Sequence, residues 1–96
     1  MIKHVVCFKL KDGSQQKCME AKEVLMKMKE NVPCLADIAV NVDKLRSNRS
    51  YDVMLEVLLK DWDCLEKYQC DDYHCNVVKE YMHKEAESSI AMDFEV

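Results

Sequence analysis

The sequence predicts a single α+β domain with elements in the order β-α-β-β-α-β, the second helical region broken. Three observations predict it. Apolar side chains alternate with period two at both ends of the chain, and they recur at steps of three and four in two internal stretches. Turn residues are scarce, with one Gly and one Pro, so the regular elements are long. Ninety-six residues hold one core, and residues 1–96 are read as one domain.

The first strand runs from about Ile2 to Leu10, where Ile2, His4, Val6, Phe8 and Leu10 alternate with Lys3, Val5, Cys7 and Lys9. The second set is half apolar, which predicts cover on both faces. Lys11-Asp12-Gly13-Ser14 is a turn, and Ser14 can cap a following helix. From Gln15 to about Val32 the period changes: Cys18, Ala21, Leu25, Met28 and Val32 form an apolar stripe among lysines and glutamates. Pro33 ends that helix. Leu35 to Val42 reads as a strand, and Asp43 to Ser50 as a polar loop. Its Arg46 and Arg49 are read as solvated rather than as a guide for an anionic ligand. Tyr51 to Leu59 is a third strand, with Met54 and Leu58 giving it apolar character on both sides. Asp61 or Asp63 can start a short helix bearing Trp62, Leu65 and Tyr68. A second stretch, from about His74 to Lys84, carries Val77, Val78, Tyr81 and Met82. Ser88 to Val96 closes the chain as a strand, with Ile90, Met92, Phe94 and Val96 on one side and Ala91, Asp93 and Glu95 on the other.

This is the ferredoxin-like split pattern: one four-stranded sheet with its helices on one face. A chain of this length buries only roughly 60–65% of its unfolded surface. Yet 49% of its residues are hydrophobic, so some apolar surface is left over after one small core is built. A second copy packed on the free face of the sheet is the simplest cover. The net charge of −4 is spread evenly with no basic stripe, which disfavours nucleic acid. No apolar run approaches the ~20 residues of a membrane span, and the first residues lack a signal-peptide pattern. A cytoplasmic location is expected. In that reducing setting the six cysteines are read as free thiols rather than a disulfide framework.

Cys70, Asp71, His74 and Cys75 have metal-ligand chemistry, but a Cys-x4-Cys pair with one His and no matching half does not make a zinc site. No metal or organic cofactor is expected.

The ordered set of segments resembles the stress-responsive A/B barrel family along essentially the whole chain. The resemblance rests on Met1-Ile2-Lys3-His4-Val5-Val6-Cys7-Phe8-Lys9-Leu10, on Pro33 and Leu35, and on Arg46-Ser47-Asn48-Arg49-Ser50-Tyr51-Asp52. It continues through Leu65-Glu66-Lys67-Tyr68-Gln69, His74 and Asp93-Phe94-Glu95-Val96. The sequence departs from the family pattern at Cys34, where a glycine is common, and at Asp71 and Asp72, which stand where the family often has His-Pro. The resemblance implies a dimeric α/β barrel, a homodimer of two sheets face to face with a cavity between sheet and helices in each subunit. Most members have no established biochemical role. One characterised plant member closes a linear polyketide by an aldol-type reaction, using positions that match His4, Tyr68 and His74 here. Val6 and Phe8 match positions that line its cavity.

His4, Tyr68 and His74 make sense together as an acid–base set. A neutral His can take a proton from the carbon next to a carbonyl while a Tyr hydroxyl hydrogen-bonds the developing oxyanion. Asp71 and Asp72 beside His74 predict a bias towards the imidazolium, which opposes that role. The leading expectation is a homodimer that binds a small apolar or carbonyl-containing molecule. The alternatives are a cofactor-independent polyketide cyclase or lyase and a structural, stress-protective dimer. Cofactor-free monooxygenation is a further thought, resting on fold analogy alone.

Overall fold

In the computed structural model, which describes residues 1–96, the period-two stretches become the strands of one antiparallel sheet. They are β1 (Ile2–Leu10), β2 (Asp37–Val42), β3 (Val53–Leu59) and β4 (Ala86–Glu95), in the spatial order β2-β3-β1-β4. The first helical region is α1 (Gln15–Met26) followed by the short α2 (Met28–Asn31). The second is α3 (Trp62–Cys70), a π-helical turn (His74–Lys79) and α4 (Glu80–Glu85). The expected ferredoxin-like α+β architecture is the one observed, with the second helix broken as its sequence pattern indicates.

Local chemistry sets the boundaries. Ser14 is extended and its side chain accepts from the Lys17 amide at 3.3 Å, which caps α1. Asp61 does the same for α3 through the Cys64 amide at 2.9 Å. The helix expected to run unbroken to Val32 is interrupted at Lys27. The Asn31 side chain donates to the Lys27 carbonyl at 2.8 Å, a back-bond that competes with the helical ladder. Val32 then takes an extended conformation ahead of Pro33.

The stripe of Cys18, Ala21, Leu25, Met28 and Val32 is fully buried, against Val40, Leu55 and Val57 of the sheet among others. Each large apolar side chain so buried contributes about 1.5–3 kcal/mol. Because α1 packs across β2 and β3, the inward side of β1 and β4 is left partly open. The inward residues of β4 follow from its pairing with β1: Ser89 lies opposite Phe8, Ala91 opposite Val6 and Asp93 opposite His4. All three are small or polar and all are exposed.

The outward face reverses this chemistry. Ile90, Met92 and Phe94 alternate with the inward set and remain 50%, 58% and 41% exposed. Beside them lie Val5, Cys7, Met54 and Leu58, all half-buried, so the apolar strip is continuous over three strands. No helix of the fold is long and apolar enough to cross a membrane.

The loop between β2 and β3 is exposed, as expected, yet Arg46 ties it down. Its guanidinium lies 3.0 Å from Asp52 and donates to the Gly13 carbonyl, bridging this loop to the β1–α1 turn. Arg46 itself sits at φ 59, a left-handed conformation that costs an ordinary residue about 1–2 kcal/mol, so its contacts offset local strain. Asp52 is 2% exposed, and its other oxygen accepts from the Leu10 amide at 2.8 Å. The closeness of these groups explains the chain's one glycine. A Cβ on Gly13 would stand 3.0 Å from Arg46 Nη2 and 3.3 Å from both Asp52 carboxylate oxygens. Asp52→Ala strips a buried amide of its charged acceptor, so it should lower stability by roughly 3 kcal/mol. The thermal midpoint checks this, with a fall of about 12 °C or more expected for a domain of this size.

Candidate functional site: a cleft holding two histidines

The gap left between the inward side of β1 and β4 and the second helical region is a cleft of about 810 Å³. That volume lies within the roughly 300–1,000 Å³ typical of small-molecule sites. All five residues singled out from the sequence line it: His4, Val6, Phe8, Tyr68 and His74. Leu25, Leu55, Val78 and Met82 complete its apolar depth. Its exposed mouth carries Lys79, Glu80, His83, Glu87 and Ser88.

His4 reaches the cleft because it shares the inward face of β1 with Val6 and Phe8. It is 7% exposed, and its Nδ1 lies 2.5 Å from a carboxylate oxygen of Asp93 on the neighbouring strand. With Asp93 about one-third exposed, such a pair contributes at most about 1 kcal/mol to stability. Its consequence is orientation: the ring is held by Nδ1, and Nε2 has no protein partner. Asp93 was not among the residues singled out from the sequence. The signal was available in the parity of the strands, since antiparallel pairing of the first and last strands puts the inward Asp93 beside the inward His4.

His74 is positioned by the break in the second helix. Asp71 is extended, which ends α3, and its side chain accepts from the His74 amide at 3.1 Å to start the next segment. The π-helical turn that follows folds its side chains back onto the exposed carbonyls of α3. His74 Nδ1 lies 2.9 Å from the Tyr68 carbonyl, and both Cys75 Sγ and Lys79 Nζ donate to the Gln69 carbonyl. A carbonyl can only accept, so His74 Nδ1 must carry the proton. In the neutral ring Nε2 is then an unprotonated lone pair with no protein partner.

Burial is the largest influence on His74 and pushes its imidazole below the ordinary value of 6.5. The bond to the Tyr68 carbonyl opposes this, Lys79 and His4 add to it, and Asp71 pulls weakly upward. The expected bias towards an imidazolium is therefore reversed. The Asp71 carboxylate that was expected to charge the ring is engaged with the backbone instead.

Tyr68 stands between the two histidines. Its ring stacks on His74 with centroids 4.1 Å apart and meets His4 edge-on at 5.8 Å. It is fully buried, and its hydroxyl donates to Met28 Sδ at 3.8 Å. Burial pushes the phenol well above its ordinary pKa, so it stays protonated. What Tyr68 supplies in this state is a wall that separates and braces two imidazoles. Cys70, Asp71, His74 and Cys75 do not converge, and no three His, Cys, Asp or Glu side chains in the fold meet where an ion could sit.

The chain matches the model of the Stress responsive A/B Barrel Domain over residues 2–96. Among curated proteins none matches it. Solved structures with the same fold include a protein of Arabidopsis thaliana, 16% identical with a TM-score of 0.85, covering 100% of this chain and 95% of that one. A dimeric protein of unknown function and ferredoxin-like fold from Bacteroides fragilis is 19% identical with a TM-score of 0.81, covering 99% and 95%. A dimeric ferredoxin-like protein of unknown function from Thermobifida fusca is 21% identical with a TM-score of 0.82, covering 99% and 90%. With nearly every residue matched by the family model, this chain belongs to the stress-responsive A/B barrel domain family.

Proposed function

We propose that this domain works as a cytoplasmic homodimer in which the cleft of each subunit binds a small apolar or carbonyl-containing molecule. One observation carries the ligand reading. Two imidazoles, each nine-tenths buried and held through Nδ1, have their Nε2 atoms unpartnered beside an apolar-lined cleft. Both nitrogens are open to the cleft, so a ligand with a complementary polar group can reach and pair them. The dimer reading rests on the outward strip of Ile90, Met92 and Phe94, an exposed apolar patch of the kind that marks an interaction surface. Lys3 and Glu56 on the same face provide opposite charges that a two-fold axis could pair. The proteins of similar fold from Bacteroides fragilis and Thermobifida fusca are described as dimeric, which supports it.

A second reading is favoured by the fixed Nδ1 protons: cofactor-independent acid–base chemistry of the polyketide cyclase or lyase type. His74 Nε2 would take the proton from a carbon next to the ligand's carbonyl, and the C–H electron pair would pass into an enolate. His4, oriented by Asp93, would hydrogen-bond the enolate oxygen through Nε2–H. The Tyr68 hydroxyl could share that task only by leaving Met28.

Titration with octan-2-one, followed by backbone and imidazole NMR, tests the ligand reading. The expected result is saturable shifts at His4, Val6, Phe8 and His74 that disappear in Val6→Trp, whose indole fills the cleft. Shifts confined to other surfaces would contradict the assignment of the cleft.

A further inference from the structure

We infer that the ligand of this cleft is uncharged or cationic at its outer end, and that carboxylates and phosphates are excluded. The inference rests on the proposed ligand reading and adds its charge class. It comes from the ionisable groups at the mouth. Glu80 and Glu87 both line the cleft, both are exposed, and neither has a hydrogen-bonded or ion-paired partner. The one lysine there, Lys79, has its ammonium engaged with the Gln69 carbonyl at 3.2 Å. His83 and the neutral Ser88 and Ser89 complete the mouth. Deeper in the cleft the only carboxylate neighbour is Asp93, already bonded to His4. No arginine lines any part of the cleft, and Arg46, the candidate for guiding an anion, is held against Asp52 and Gly13.

An entering anion therefore meets two exposed, unpaired carboxylates and one tethered cation, on a protein whose overall charge is −4. A field of that sign repels carboxylates at the mouth and draws in ammonium groups. An amphiphile with its apolar chain along Val78 and Met82 and an amine or neutral group between Glu80 and Glu87 satisfies both halves of the cleft. A fatty acid or a phosphate ester satisfies only one.

Octylammonium, octan-2-one and octanoate share a chain length and differ in charge, so their affinities read the field directly. In low salt, octanoate should bind about three- to tenfold more weakly than the ketone, and octylammonium at least as tightly as the ketone. In the double variant Glu80→Gln/Glu87→Gln, two surface changes that leave the core intact, the spread should collapse towards equality. Octanoate binding as tightly as the ketone at the same cleft residues would overturn the inference while leaving the ligand reading in place. A spread unchanged in the double variant would do the same. Failure of all three probes to bind would overturn the ligand reading itself, and this inference with it.

Discussion

Replacing His74 with alanine should slow hydrogen–deuterium exchange at the carbons flanking the carbonyl of bound octan-2-one by about 10²–10⁴-fold, the usual contribution of a general base. The expectation follows from a chain of local causes. Asp71 ends α3 and caps the next segment, the π-helical turn brings His74 under the end of α3, and the Tyr68 carbonyl accepts a hydrogen bond from Nδ1–H. Nε2 is left as the acceptor, in a place dry enough to keep the ring neutral at pH 7. His74→Gln fills the same space and makes hydrogen bonds without serving as a base, so it should lose exchange to the same extent while keeping the fold. Tyr68→Phe keeps the stacked ring and removes only the hydroxyl that faces Met28, so exchange should fall by less than about threefold, within the weight of one modest hydrogen bond. A loss in Tyr68→Phe as large as in His74→Ala would mean that the hydroxyl leaves Met28 when ligand binds.

Met92→Asp should convert the proposed dimer to a monomer. Met92 is 58% exposed at the centre of the strip formed by Ile90, Met92 and Phe94, and it lies opposite Val5 in the sheet. A two-fold axis presents the substitution twice. Each copy forfeits about 1.5–3 kcal/mol of apolar burial. Each also brings a carboxylate whose desolvation costs several kcal/mol more. A weakening of the dimer by about 10³-fold or more is expected, because both terms are doubled by symmetry. Light scattering after size-exclusion chromatography at micromolar concentration reads the outcome as a halved mass. An inward substitution on the same strand, Ala91→Ser, should leave the mass unchanged, since Ala91 faces the cleft beside Val6.

Much of this molecule is legible along the chain because its periodicities are clean. The alternation of His4, Val6 and Phe8 places them on one face of β1, and that face lines the cleft. The stripe from Cys18 to Val32 identifies the helical layer, although the helix is interrupted at Lys27 where hydrophobic spacing alone predicts continuity. The tertiary effects are less legible. Arg46 looks solvated in a run of polar residues, yet a left-handed backbone turns it onto Asp52, and no local pattern encodes that reach. Asp71 looks like a charge that would protonate His74. Its role as a cap depends on the helix breaking at that residue, which only the fold determines. The Tyr68 hydroxyl was expected to serve the cleft because its position matches a functional tyrosine of the family the chain resembles. Its direction is set by Met28, forty residues earlier in the chain. Asp93 was recoverable by pairing the terminal strands, a step that needs their register as well as their alternation.

The protonation state of His74 tests the account most directly, because the ligand reading and the chemistry both depend on a neutral ring with a free Nε2. Its folded value lies below the ordinary 6.5, so the associated stability is complete above about pH 6.5 and is lost as the pH falls through the folded value. Long-range ¹H–¹⁵N NMR of the imidazoles across pH 4–8 reports both tautomer and titration. The structure predicts that His74 is neutral at pH 7, carries its proton on Nδ1 and titrates below the ordinary value of 6.5. A His74 that is doubly protonated at pH 7, or neutral with its proton on Nε2, would contradict it.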